Sequence, residues 1–367
     1  MLKIDRRLIA HFDWPLLVVT LLLLGAGLLT VLSASHTPHQ LLSSYFLRQV
    51  LWAAVGLMAM LLATSFDYHF LDRYSFLFYG LCLALLLAVA LVGVLGGGAR
   101  RWLDLGPVAI QPSEFAKLAV VVVLASILQR EVGERHLRGS VALFCLALVA
   151  VPAGLILKQP DLGTALIVTL VGGCVLVVAG LPLRWLALAG ACFVAVVPYL
   201  WQHLKPYQQR RIEMFLNPDL DPLRYGYHII QSKIAIGSGM VSGKGYLHGT
   251  QNRLNFLPEQ HTDFIFAVFA EEWGFVGACI LIALYVVLLL RCLVVISRAR
   301  DSFGVLLAFG LTAVIFSQVL INIGMASGAL PVVGVTLPFF SYGGSSLLVC
   351  LVSIGLLLNI SMRRFTF

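Results

Sequence analysis

GSVALFCLALVAVPAGLILKQPDLGTALIVTLVGGCVLVVAG, residues 139–180, decides the fold. Two apolar runs, 139–157 and 162–180, carry no charge and flank one short polar turn. Each is close to the roughly 20 residues needed to cross a bilayer core about 30 Å thick, so the stretch reads as two membrane helices in tandem. Outward from this pair, similar runs occupy 14–32, 48–65, 75–95, 113–129, 186–202, 264–291, 304–325 and 342–361. The composition agrees: of 367 residues, 60% are hydrophobic and 11% charged, with mean hydropathy +0.96. Soluble domains hold roughly 45–50% apolar and about 25% charged residues, which excludes a soluble globular protein. The expected fold is an all-α polytopic membrane protein of about ten transmembrane helices. The whole chain, 1–367, forms one integral membrane domain, with 203–263 as a large extracytoplasmic loop between helices 7 and 8.

The net charge of +8 could suggest nucleic acid in a soluble protein. Here the basic residues first report topology. One set of ends and short loops holds thirteen of them, from Lys3, Arg6 and Arg7 to Arg363 and Arg364. The opposite short loops hold only Arg48, Arg100, Arg101 and Lys158. The positive-inside rule therefore places both termini in the cytoplasm and the long loop outside, and no nucleic acid is expected. The first run, Trp14 to Leu32, follows three basic residues and ends near Ser33, Ala34 and Ser35, like a signal peptide. It exceeds the roughly 7–15 residues of a signal core and is read as an uncleaved span. The seven cysteines lie in or beside apolar runs without a CxxC pair and read as small core or lipid-facing residues.

Polar residues inside apolar runs require a reason. Glu114 and Lys117 lie three apart in QPSEFAK and share a helix face, as a structural ion pair, a functional pair or both. Asp161, in KQPDLGT, either caps the next helix or approaches the same cavity as Lys117. Glu259, His261 and Asp263 end the long loop, while Glu271 and Glu272 enter an apolar helix. Asp263 is expected at the water boundary, where a carboxylate can act as a base; a plain N-cap role for Thr262 or Asp263 is the alternative. Within the loop, 227–236 reads as an amphipathic stretch and GSGMVSGKG as a flexible connection. Arg210, Arg211, Arg224, Lys233 and Lys244 are candidates for a pyrophosphate or anionic lipid. The Pro- and Gly-rich breaks at 158–164 and 324–345 suggest backbone that lines a cavity, since lipid cannot satisfy it. His, Cys and carboxylates are too sparse for a zinc site; an oxygen-ligated Mg²⁺ or Mn²⁺ held partly by substrate phosphates is suspected, with no ligand set assigned.

QPSEFAK (111–117), KQPDLGT (158–164), HTDFIFA with EEWG (261–274) and GMASGALPVVGVTLPFFSYGGSS (324–346) together resemble the SEDS family, in order and over nearly the whole chain. Short termini and Phe12-Asp13-Trp14 favour its cell-elongation branch over the division and sporulation branches. The resemblance implies a peptidoglycan glycosyltransferase that joins lipid II disaccharides by β-1,4 linkages and releases undecaprenyl pyrophosphate at the outer face of the bacterial cytoplasmic membrane. It implies Asp263 as the general base and Lys117 as the cation offsetting pyrophosphate charge, with Glu114 orienting Lys117. Asp161, Gln111, Arg101, Arg210 and Ser345 follow as substrate-binding or supporting positions. No organic cofactor is implied. The expected partner is a class B penicillin-binding protein, near helices 8 and 9, and the expected ligands are lipid II and nascent glycan. A lipid II flippase is the principal alternative, using the same polar groups as a path, and a scaffold for wall-synthesis proteins is the third.

Overall fold

The computed structural model describes residues 12–36, 42–96, 99–104, 109–131, 137–182, 226–254, 256–257 and 259–363, with isolated positions between 184 and 209. Its elements are α1 (Trp14–Ala34), α2 (Ser44–Ser65), α3 (His69–Arg73), α4 (Ser75–Val92), β1 (Val94–Gly96), β2 (Ala99–Asp104), β3 (Ala109–Ile110), α5 (Pro112–Leu128), α6 (Gly139–Lys158), α7 (Leu162–Val178), α8 (Tyr227–Ser238), α9 (Thr250–Arg253), α10 (Ile265–Arg298), α11 (Ser302–Ala326) and α12 (Gly344–Met362). Helix α5 is the centre of the bundle. It is buried along most of its length and packs on α4, α7, α11 and α12, while α2 lies along α12 and α10 along α1 and α11. One apolar cluster runs through these helices.

Among the described residues, α1, α2, α6, α10, α11 and α12 are long and apolar enough to cross a membrane, and α4 and α7 are shorter apolar helices. The chain is therefore a multi-pass α-helical membrane protein. Six spans meet that measure where ten were expected. The difference has three sources. The 17 residues of α5 rise only about 26 Å and carry Glu114 and Lys117; α4 and α7 stop short of the apolar runs that predict them; and the span at 186–202 falls largely outside the described residues.

The all-α expectation needs a correction. Residues 94–96, 99–104 and 109–110 form a small antiparallel sheet in the order β1-β2-β3, with Leu95 opposite Arg100 and Leu103 opposite Ile110. With β1 beginning at Val94, the third span ends at Val92 rather than 95. Apolar residues within this short sheet read as a continuation of the helix by hydropathy alone.

At the end of the bundle where α2 and α12 finish and α11 begins, polar groups tie the helices together. Tyr68 donates to Asp301, Arg363 lies 3.2 Å from Asp67, and His69 Nδ1 lies 2.8 Å from the same carboxylate. Burial opposes ionisation of Asp67, yet its hydrogen bonds with His69 and the charge of Arg363 outweigh it and hold the pKa below the ordinary value. The six described cysteines are free, and Cys192 lies outside the described residues.

Candidate active site

The opposite end of the bundle, where α2, α5, α7, α10 and α12 start and α1 and α11 finish, gathers the polar residues. Gln111 precedes α5, and Pro112 opens that helix where a missing N–H costs nothing. The Gln111 backbone N–H donates to Ser345 Oγ at 3.0 Å. Its side-chain amide donates to Ser113 Oγ and to Asp161 Oδ2, both at 3.1 Å, and Ser113 Oγ donates to the same Asp161 oxygen at 3.3 Å. The other oxygen, Oδ1, accepts from the Thr164 N–H at 3.2 Å and caps α7. The capping reading of Asp161 holds, and its second oxygen also pins the start of α5. Arg101 Nε donates to Gln159 O at 3.2 Å and its guanidinium also reaches Pro160 O, so Arg101 clamps the turn that presents Asp161.

One turn into α5, Lys117 Nζ donates to Glu114 Oε2 at 2.8 Å, with both side chains buried. Spacing of three residues on a helix brings them to one face, and the low dielectric around them makes the pair mutually dependent. Arg210 lies outside the described residues.

Asp263 belongs to a turn over 259–264 that leads into α10. Phe264, without a side-chain capping bond, occupies the N-cap, so the capping alternative for Thr262 and Asp263 does not apply. The turn is stitched to the extended segment between α11 and α12. Asn322 Nδ2 donates to Asp263 O at 3.0 Å and to Val335 O at 2.7 Å; Ser341 Oγ donates to Thr262 O at 2.7 Å; and the Tyr342 N–H donates to His261 O at 2.8 Å. Thr262 Oγ1 lies 3.2 Å from Glu259 Oε2. Burial lowers the pKa of His261, opposed by the charge of Glu259.

The same segment joins Asp263 to the first turn of α7. Gly334 has φ +73°, and a Cβ there would lie 3.4 Å from Asp263 Oδ2. Its neighbours Val333 and Val335 press on α7 so closely that a Cβ at Gly163 would fall 2.7 Å from each. Thr336 and Ser346 hydroxyls meet at 2.8 Å. The Asp263 carboxylate and the first turn of α7, which Asp161 caps, thus flank residues 333–335, with the Glu114–Lys117 pair one turn into α5. Gly334→Ala is expected to cost about 1–2 kcal/mol in left-handed strain and to displace the Asp263 turn. Thermal unfolding together with turnover checks it, and an unchanged pair of values contradicts this role for Gly334.

The sequence misses Ser113, Asn322, Thr336 and Ser341 as supports. Asn322, one of two buried amides with Gln318 inside the apolar stretch of α11, is the one with a legible signal. The GSGMVSGKG connection is a correction: it is pinned rather than flexible. Gly274, at φ +67° and ψ −165°, kinks α10. The freed carbonyls of Glu271 and Glu272 accept from Lys244 and Gly245 N–H, at 3.1 and 3.0 Å. The freed N–H groups of Phe275 and Val276 donate to Met240 and Val241 carbonyls, at 2.9 and 3.1 Å. Lys244 Nζ lies 2.6 Å from the buried Glu271 carboxylate, which removes it from the anion-binding candidates. Among the described residues no group of three or more His, Cys, Asp or Glu is placed to hold a metal ion. The carboxylate of Asp161 is taken up by Gln111, Ser113 and Thr164.

Comparison with known proteins places the chain in a family. Residues 14–365 match the family model FTSW_RODA_SPOVE, described as cell cycle protein. The chain is 44% identical to peptidoglycan glycosyltransferase MrdB of Escherichia coli K12 over 96% of its own length and 94% of that protein. It is 40% identical to stage V sporulation protein E of Bacillus subtilis, over 95% and 96%. Among solved structures it resembles a chain from a peptidoglycan synthase complex described as coordinating polymerization and crosslinking, with TM-score 0.83 and 34% identity over 97% of this chain and 99% of that one. It also resembles the rod shape determining protein RodA of Thermus thermophilus, with TM-score 0.72 and 31% identity over 97% and 98%. The chain belongs to the FtsW/RodA/SpoVE family of cell cycle proteins, the SEDS family.

Proposed function

We propose that the protein is a peptidoglycan glycosyltransferase that polymerises lipid II during cell elongation and shape maintenance. Disaccharide units are joined by β-1,4 linkages. Family membership supports the reaction, and the observation that carries the site is the half-buried Asp263 carboxylate on a turn fixed at two points to the 331–343 segment and at a third to Asn322 of α11. In this reading Asp263 accepts the proton of the acceptor hydroxyl as its oxygen attacks the donor anomeric carbon. The bond from that carbon to phosphate breaks, and undecaprenyl pyrophosphate leaves with the electron pair. A sugar hydroxyl is a poor nucleophile until its proton has a base, and the leaving group gathers negative charge that needs a cation.

Lys117, oriented by Glu114, is the proposed counter-charge for the donor pyrophosphate. Gln111, Arg101, Asp161 and Ser345 hold the frame around it, and Arg210 remains a candidate for the pyrophosphate. One Mg²⁺ or Mn²⁺ would be held chiefly by substrate phosphates with Asp263 as the protein carboxylate nearest the reaction, as Mg²⁺ commonly is; when bound it would stabilise charge on the pyrophosphate. The proposed topology keeps ten spans, both termini in the cytoplasm and the Asp263 end facing out, so that the polyprenyl tail stays in lipid. The proposed partner is a class B penicillin-binding protein, a single-span transpeptidase, with the outward apolar faces of α10 and α11 as its candidate contact.

The test is glycan formation from purified lipid II and Mg²⁺ by the protein assembled with its cognate transpeptidase. Polymer of many disaccharides, insensitive to inhibition of the transpeptidase active site, is the expected result. Assembled, folded complex that makes none overturns the reading.

A further inference from the structure

Three aromatic rings from distant parts of the chain meet beside Asp263. The ring centroids of Tyr45, at the start of α2, and His261 lie 4.5 Å apart with planes inclined at 38°. Tyr342 stands edge-on to Tyr45 at 5.3 Å and to His261 at 5.7 Å. The cluster is built rather than accidental. Gln49, one turn along α2 from Tyr45, donates to Ser341 O at 3.0 Å and accepts from the Gly343 N–H at 3.2 Å, bracketing Tyr342. The Tyr342 N–H in turn holds the His261 carbonyl at 2.8 Å. Yet the cluster is open: Tyr45 is 46% exposed, and neither phenol hydroxyl has a hydrogen-bond partner among the described residues.

We propose that Tyr45, His261 and Tyr342 form a stacking platform for a hexosamine ring of the glycan, adjoining the Asp263 turn. This deepens the glycosyltransferase reading and rests on it. One face of a pyranose presents C–H groups that pack on the negative face of an aromatic ring. Its hydroxyls and acetamide, pointing sideways, suit free phenol hydroxyls. A rigid platform loses little conformational entropy on binding, and its place two residues from the base in sequence would position a ring next to the reacting centre. A single interfacial tyrosine needs no such scaffold, because the headgroup region itself orients it. Here three rings are fixed to one another by hydrogen bonds from α2, the 259–264 turn and the 341–343 segment.

The experiment uses the full-length protein in detergent, with chitotetraose, a β-1,4-linked N-acetylglucosamine oligomer lacking lipid and pyrophosphate, as the probe. Saturation-transfer NMR is expected to detect binding by the wild type, by Asp263→Asn and by Tyr45→Phe. Tyr45→Leu and Tyr342→Leu should weaken it about fivefold or more. With lipid II, Tyr45→Leu should raise KM by a similar factor while kcat stays within about twofold. Equal chitotetraose binding by wild type and both leucine variants overturns the platform, even where polymerisation is normal. So does a Tyr45→Leu variant that changes only thermal stability in lipid, which identifies an interfacial anchor. Ring-dependent binding by a protein that makes no polymer supports the platform and sinks the glycosyltransferase reading, so the two fail separately.

Discussion

Lys117→Met is expected to destabilise the protein by about 3–5 kcal/mol and to abolish polymer formation. The ammonium is 2% exposed and donates to Glu114 at 2.8 Å on the central helix, where water cannot replace it. Removing it leaves a buried carboxylate uncompensated, and α5 touches most of the bundle. Removing both charges separates structure from chemistry. Glu114→Gln with Lys117→Met should recover most of the lost stability, since an apolar and amide pair needs no counter-ion. It should remain inactive, because the cation proposed for the pyrophosphate is gone. Unfolding in detergent followed by fluorescence, alongside turnover, checks both halves. A single Lys117→Met variant as stable as wild type would refute the account of the pair, and an active double variant would remove Lys117 from the reaction.

Asp263→Asn is expected to lower the rate by about 10²- to 10⁴-fold, the usual worth of a positioned general base. The substitution is nearly isosteric. Asn322 holds the backbone carbonyl of Asp263 rather than its carboxylate, so the turn should keep its shape and unfolding should be little changed. Asp263→Glu keeps the base but moves it by a methylene against Gly334, where a Cβ would already stand 3.4 Å from the carboxylate. Partial activity is expected. A loss of stability equal to the loss of rate would instead mark Asp263 as structural.

Much of this was legible in the sequence because a bilayer enforces simple rules. Uncharged runs near 20 residues had to be helices, and α1, α2, α6, α11 and α12 follow their runs closely. Asp161, Glu114 and Lys117 stood out because ionisable groups in apolar surroundings need partners, and the i,i+3 spacing named one partnership outright. What stayed hidden was non-local. Hydropathy does not distinguish a short sheet from a helix end, which concealed residues 94–110. Nothing near Gly274 in the sequence shows that its broken helix is completed by the backbone of residues 240–245. The supports of Asp263 come from Asn322 and Ser341, about 60 and 80 residues away, and the Tyr45 ring from more than 200 residues upstream. Each is an ordinary polar or aromatic residue until the chain brings them together.

The central claim is that one site polymerises lipid II rather than passing it across the membrane. Liposomes holding the protein with its transpeptidase, lipid II and Mg²⁺ allow glycan length and lipid II movement between leaflets to be read in the same sample, for wild type and for Asp263→Asn. The account predicts long glycan from wild type, none from the variant, and the same transbilayer movement in both as in protein-free vesicles. Transbilayer movement that depends on Asp263, with no glycan from either protein, would contradict it and make the polar groups at this end of the bundle a transport path.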